Sequence, residues 1–348
     1  VTLLVCLAID MTFLPSVVME TGLITVWDYV GLKFDEEFVK DIDMFENMTV
    51  REAKMASLMA YTVDMDPGNQ LFSQGDIGDE MYVVLNGSIS IFLENDENRT
   101  DLVRLEKGNT FGEMGLFRNA ERSASAEAYE KSRLLVINRD CLEPLKKRNP
   151  KIAAKLFLNL ANSLQSSLKE TDERLLAQKD FNLSSLEAKL NEDAELEQKE
   201  MSIDPKAEWE KLGKKWHAKL EPFSRQFSVS TGKKLTKINP EKGNYVFIKS
   251  GEVAVESKVS PERNAFSVGY CWTRKGFDLI GEFVLCEGKA DSRARATARK
   301  DSELMHFTHE SLLSLTQQEP RVAAQFLENM VCMLSDQIAI ADKRLQNN

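Results

Sequence analysis

Apolar residues along the chain change period several times, and each change marks an element. Residues 36–62, carrying FVKDIDMFENMTVREAKMASLMAY, repeat their apolar positions at helical spacing. Short alternating runs follow: QLFS, MYVVL, SISIFL, LVRL, SASAEAY and RLLVI. Turn signals separate them at Pro67-Gly68, Gly75-Asp76, Gly78-Asp79, Asn86-Gly87 and Lys107-Gly108. Many short strands with such punctuation predict a compact antiparallel β-barrel or roll. From Asn149 to about Gln178 the period returns to that of a helix, with Ile152, Leu156, Leu160, Leu164 and Leu168 four residues apart. The stretch 177–205 (EAKLNEDAELEQKE at its centre) is polar and charged, and reads as a solvated helical linker. Trp209, Leu212, Trp216 and Leu220 then mark a further opening helix.

The pattern occurs twice. KRNPKIAAKLFLNL (147–160) matches QQEPRVAAQFLENM (317–330), pairing Pro150 with Pro320, Ala153-Ala154 with Ala323-Ala324 and Asn159 with Asn329. ETDERL (170–175) pairs with IADKRL (340–345) at the same offset of 170, while FGEMGLF (111–117) pairs with IGEFVLC (280–286) at 169 and Gly87 with Gly251 at 164, small drifts that read as loop insertions. Two copies are too few for a solenoid and predict tandem domains. The expected division is 1–34, then a first domain over 35–178, a linker over 179–204 and a second domain over 205–348.

Residues 1–19, VTLLVCLAIDMTFLPSVVM, are apolar apart from Asp10 and small polar residues, and the chain opens on Val1. A span needs about 20 apolar residues, so this segment is expected to be the end of a transmembrane helix in a longer protein. Asp10 at that depth suggests a bundle interior. LAIDMTFLPSVV resembles the end of the last transmembrane helix of MMPL-like transporters of the RND superfamily. The following LITVWDYVGLKF is similar to the juxtamembrane stretch of those that carry a cytoplasmic tail. The resemblance covers about 30 residues. It implies an upstream transmembrane domain as a partner and a place on the cytoplasmic face of the inner (plasma) membrane.

Composition narrows the classes. Hydrophobic residues at 43% and charged residues at 29% describe a folded chain rather than a disordered one. A net charge of −10 lacks the basic footprint of a nucleic-acid binder. The five cysteines are scattered without C-x-x-C spacing, as suits a reducing compartment. No Cys or carboxylate cluster completes His306 and His309 as a metal pair, so no metal and no cofactor are expected. No G-x-S-x-G elbow, kinase motif or P-loop occurs, so the chain is not expected to be an enzyme.

One stretch carries chemistry, GNTFGEMGLFRNAERSASAEA at 108–128. Glycines let backbone approach a ligand, and free N–H groups at a helix start suit an anion. Glu113 can accept from a sugar hydroxyl, and Arg122 is a permanently charged fork suited to a phosphate. Alone, such a pair also describes a surface ion pair. The context is broader: PGNQLFSQGDIGDEMYVVLNGSISIF, FGEMGLF, ERSAS, RLLVI and the helix opening at Asn149-Pro150 resemble the cyclic nucleotide-binding domain from residue 65 to 178, especially its catabolite activator type. The fold so implied is mainly β with flanking α: two tandem jelly-roll-like barrels of this kind, joined by helices and preceded by a partial transmembrane helix. The implied ligand is cyclic AMP or cyclic GMP. Glu113 would meet the ribose 2′-hydroxyl and Arg122 the cyclic phosphate, with Ser123 adding a phosphate contact. Gly112 and Met114 would line the ligand through their backbone, and Ser167 would stand where that type touches the base, although its neighbour Leu168 departs from the pattern. In the second copy Glu282 and Arg293 form a weaker candidate site, because the loop is longer and no R-S-A-S follows.

The expected function is therefore a cyclic nucleotide-sensing regulatory region of a membrane transporter, in which ligand shifts the helix 150–178. The alternative is a ligand-free scaffold that keeps the fold for packing or for assembly of a homo-oligomer. A transcription factor would need a basic helix-turn-helix where an acidic linker stands, and an esterase with such repeats at its front would need a nucleophile elbow.

Overall fold

The computed structural model describes residues 36–57, 60–95, 98–117, 120–177, 216–235, 244–258, 268–275, 279–280 and 294–346. The helical periodicity of 36–62 is broken into α1 (Glu36–Lys40), a 3-10 turn (Asp43–Phe45) and α2 (Val50–Ala56). Ile42 is extended and Asn47 takes a φ of 58°, so one continuous helix cannot run through them. Thr49 starts α2 afresh with a capping box: its hydroxyl accepts from Glu52 N–H at 3.2 Å, and the Glu52 carboxylate accepts from Thr49 N–H at 2.9 Å. The apolar positions that gave the helical period, Ile42, Met44, Phe45 and Ala53, are buried all the same. Helix ends there, and Tyr61–Met65 is strand β1.

Among the described residues of this unit, nine further strands follow: β2 (Gln70–Phe72), β3 (Ile77–Gly78), β4 (Glu80–Asn86), β5 (Ile89–Asn95), β6 (Asn98–Leu105), β7 (Thr110–Phe111), β8 (Ala120–Glu121), β9 (Ser125–Ala128) and β10 (Ser132–Asn138). They form one sheet ordered β1-β10-β4-β7, a second ordered β2-β9-β5-β6, and a short β3-β8 ladder, all antiparallel. Met65, Tyr82, Val84, Leu134 and Val136 of the first sheet share a core with Ile89, Ala126 and Ala128 of the second. Five consecutive residues of β4, Met81–Leu85, are buried, because both faces of that strand are covered. The domain is thus a mainly β, jelly-roll-like fold with flanking helices. The one-turn helix α3 (Glu113–Phe117) interrupts it between β7 and β8.

After β10 a 3-10 turn (Arg139–Cys141) leads into α4 (Leu142–Arg148) and α5 (Pro150–Ala177). Pro150 occupies the first helical position, where its missing N–H costs nothing. Two compact units divide between Leu145 and Lys146. In the second, α6 (Trp216–Leu220) precedes β11 (Arg225–Val229), β12 (Tyr245–Lys258), β13 (Val268–Lys275), β14 (Leu279–Ile280) and β15 (Ala294–Phe307). Their sheet runs β11-β15-β12-β13, with β14 on β12, over a core of Val246, Ile248, Val253, Ala296 and Leu304. Two helices close the unit, α7 (His309–Gln318) and α8 (Pro320–Gln346).

Helix α5 packs along α8, and so sorts with the second unit, whereas the sequence reading drew its boundary after residue 178. Lys146 and Glu328 form a half-buried ion pair at 2.7 Å beside this helix pair. Helix α5 is also pinned to β12 and the residue before it: Tyr245 donates to Asn162 Oδ1 at 2.9 Å, and Gln165 Nε2 donates to Asn244 O at 3.4 Å. Among the described residues no helix is long and apolar enough to cross a membrane. The apolar segment 1–34, the linker 179–204 and the second-copy candidates Glu282 and Arg293 lie outside the described residues.

Candidate functional site

The chain leaves β7 through Gly112, whose φ of 75° turns it into α3. Facing this corner, Arg122 directly follows β8, with its backbone locked to the turn at Gly75-Asp76. Its N–H donates to Asp76 O at 2.7 Å, and Gly75 N–H donates to Arg122 O at 2.9 Å. The side chain points inward and is 7% exposed. Its Nη1 donates to Gly112 O at 3.0 Å, and its Cζ lies 4.3 Å from the centre of the Phe72 ring and 5.5 Å from that of Tyr82. Such contacts hold a guanidinium by attraction to ring faces. Space for it depends on three glycines. A Cβ at Gly78 would overlap the guanidinium itself, and one at Gly112 or Gly115 would stand 2.8 Å from Nη1.

The aromatic floor is braced in turn. Tyr82 stacks on Phe111 at 5.2 Å and leans on Phe72 at 5.8 Å. Its hydroxyl donates to Glu80 Oε2 at 2.9 Å, and Tyr61 donates to the other oxygen at 2.6 Å. Burial, then the Glu80 carboxylate, push the Tyr82 hydroxyl well above the usual tyrosine range. The hydrogen bond to Glu80 is the main cause that pushes Tyr61 up to about 12. Glu80 thus spends its charge on two phenols. Among the described residues Arg122 has no carboxylate partner; what it meets is one carbonyl and two rings. A buried cation so placed, with further N–H groups of its fork to give, is arranged to receive an anion.

The fold brings Gly112, Glu113, Met114, Arg122 and Ser123 into one corner. Glu113 is buried at the start of α3, while Met114 and Ser123 are half-buried. Ser167 lies half-buried on α5, in the second compact unit. Sequence reasoning missed Phe72, Tyr82 and Glu80, whose alternating strand pattern reads simply as core, and it took Gly78 only as a turn signal. Among the described residues no cluster of His, Cys, Asp or Glu could hold a metal ion.

Residues 62–149 match the family model of the cyclic nucleotide-binding domain. The chain is 33% identical over 136 residues to the cyclic AMP receptor protein of Thermus thermophilus, covering 38% of this chain and 62% of that protein. It is 28% identical over 96 residues to the cAMP-dependent protein kinase type II regulatory subunit of Drosophila melanogaster, covering 28% of this chain and 26% of the relative. The chain therefore spans less than two thirds of the length of either relative. Among solved structures, cAMP-bound PfPKA-R aligns over 82% of this chain and 85% of its own, at 18% identity and a TM-score of 0.34. Over residues 62–149, then, this chain carries a cyclic nucleotide-binding domain.

Proposed function

We propose that the corner between α3 and Arg122 binds cyclic AMP or cyclic GMP, and that the chain is the regulatory region of a membrane transporter. The observation that carries the ligand reading is the buried Arg122 guanidinium, caged by glycines and rings and, among the described residues, lacking a carboxylate partner. A cyclic phosphate supplies the missing charge there. Glu113, buried at the start of α3, receives the ribose 2′-hydroxyl, and Ser123 and the backbone of Gly112 and Met114 complete the wall. The relatives include a cyclic AMP receptor protein and a kinase regulatory subunit, so one barrel serves different outputs. The link to a transporter rests on the apolar segment 1–34, and the cytoplasmic placement and absence of catalysis go with it.

Tandem duplication belongs to the same reading, and hydrogen bonding supports it. Gly87, at φ 80°, lies against Ser132, whose Oγ accepts from Ser88 N–H at 3.1 Å and donates to Glu130 O at 2.8 Å. Gly251, at φ 99°, lies against Ser302, whose Oγ accepts from Glu252 N–H at 3.0 Å and donates to Lys300 O at 2.7 Å. The second copy is the degenerate one, since its loop lacks R-S-A-S.

Isothermal calorimetry of residues 36–348 with cyclic AMP and cyclic GMP tests the ligand reading. Arg122→Ala leaves the phosphate without its fork, at a cost of about 2–5 kcal/mol, which is roughly 30-fold or more in affinity. Glu113→Gln removes one acceptor charge and costs less, about 1.5–3 kcal/mol. Binding that is absent, or equal in wild type and Arg122→Ala, favours the ligand-free scaffold instead.

A further inference from the structure

One arginine outside the ligand corner joins it to the turn that leads into α4. Arg139 is the first residue of the 3-10 turn after β10. Its Nε donates to Leu116 O at 2.7 Å and its Nη2 to Gly115 O at 2.5 Å. Those carbonyls belong to the last turn of α3, where a helix has no partners of its own for them. At five residues α3 is too short to hold its shape by internal bonding. Gly115 also stands on the Arg122 cage, since a Cβ there would touch Nη1. The Arg139 backbone N–H donates to Asp79 O at 2.9 Å, beside Gly78 of the same cage. Arg139 therefore grips both walls of the ligand corner, three residues before α4 begins.

We propose that Arg139 is the positioning residue that transmits ligand occupancy from the α3 corner to the start of α4. The proposal rests on the ligand reading above and adds the route by which the site acts. Any displacement of α3 toward a bound phosphate pulls on two carbonyls held by a rigid, planar fork. That fork is rooted in the turn from which α4 departs. A ligand shifts α4 only through its different affinity for the two arrangements of this joint.

Hydrogen exchange on residues 36–348, with and without saturating cyclic AMP, tests this in wild type, Arg139→Gln and Arg139→Lys. In the wild type, ligand is expected to slow exchange at 113–117 and also at 140–148. In Arg139→Gln, affinity falls by roughly tenfold, within the usual range of a coupling between sites. At saturation 113–117 is still protected, but 140–148 no longer responds. Lysine reaches one carbonyl at a time, so Arg139→Lys restores part of the response. A merely structural residue would change the basal exchange of 140–148 and leave its ligand response intact. A full ligand response at 140–148 in Arg139→Gln overturns the role given to Arg139 and leaves the ligand reading standing. No ligand effect in the wild type overturns the ligand reading itself and the transmission with it. Loss of protection in β4 and β10 in both variants assigns Arg139 to folding alone and likewise overturns the proposal.

Discussion

Gly78 leaves Arg122 the space that any side chain would fill. A methyl group there would overlap Nε and Cζ of the guanidinium, so Gly78→Ala is expected to turn the fork out of its cage. Cyclic nucleotide affinity should then fall about as far as in Arg122→Ala, roughly 30-fold or more; unchanged binding by calorimetry would show that the cage is dispensable. The floor of the site offers a second test. Tyr61 is pushed up to about 12 by its bond to Glu80, while an unfolded tyrosine titrates near 10. Between those values the folded protein holds a proton that the unfolded chain has released. The contribution is whole below about pH 10 and is lost as pH rises toward 12. Tyr61→Phe should flatten that limb of the stability profile, measured as urea midpoints from about pH 9 upward. The charged members of the site are legible in the sequence because FGEMGLF and ERSAS are local strings. Phe72 and Tyr82 are not, because on alternating strands an aromatic that carries a cation and one that fills a core follow the same pattern. Arg139 is hidden for another reason: its partners are backbone carbonyls, which leave no mark on residue type.

The long helices and the strand runs of the first unit stand close to where periodicity puts them. The segment 36–62 does not, since a left-handed Asn47 and a capping Thr49 divide it while its apolar positions still face inward. Burial fixes which residues are covered but not whether the backbone between them is continuous. The fate of α5 shows a similar limit. Its apolar stripe is plain in sequence, yet nothing local says whether a neighbouring barrel or a later helix covers it. In the structure part of that cover is pinned by polar contacts. Tyr245→Phe would leave the Asn162 side-chain oxygen, buried with its residue at 6% exposure, without its donor. A cost of about 1–3 kcal/mol is expected from such an orphaned group. Urea unfolding followed by tryptophan fluorescence would measure it, and a change below a few tenths of a kcal/mol would mean that water replaces the phenol.

At the scale of the molecule, the compact units and the repeats divide the chain at different places. A fragment ending at residue 178 keeps α5 but removes α8, along which it packs. Leu156, Leu160 and Leu164, fully buried in the intact chain, belong to the helix that would lose this neighbour. Such a fragment is expected to self-associate, whereas residues 36–348 should not gain mass under the same conditions; light scattering after size exclusion compares the two. A monomeric 36–178 would mean that the first unit covers the helix without help. The pairing of α5 with α8 also has a consequence in time. On the ribosome the first helix is finished long before the second exists. At roughly 5–20 residues per second, the interval is on the order of 10–30 s. For that interval α5 must lie on a temporary partner or be shielded by a chaperone. Nascent chains stalled before residue 320 should therefore recruit a holdase that chains stalled after residue 346 release.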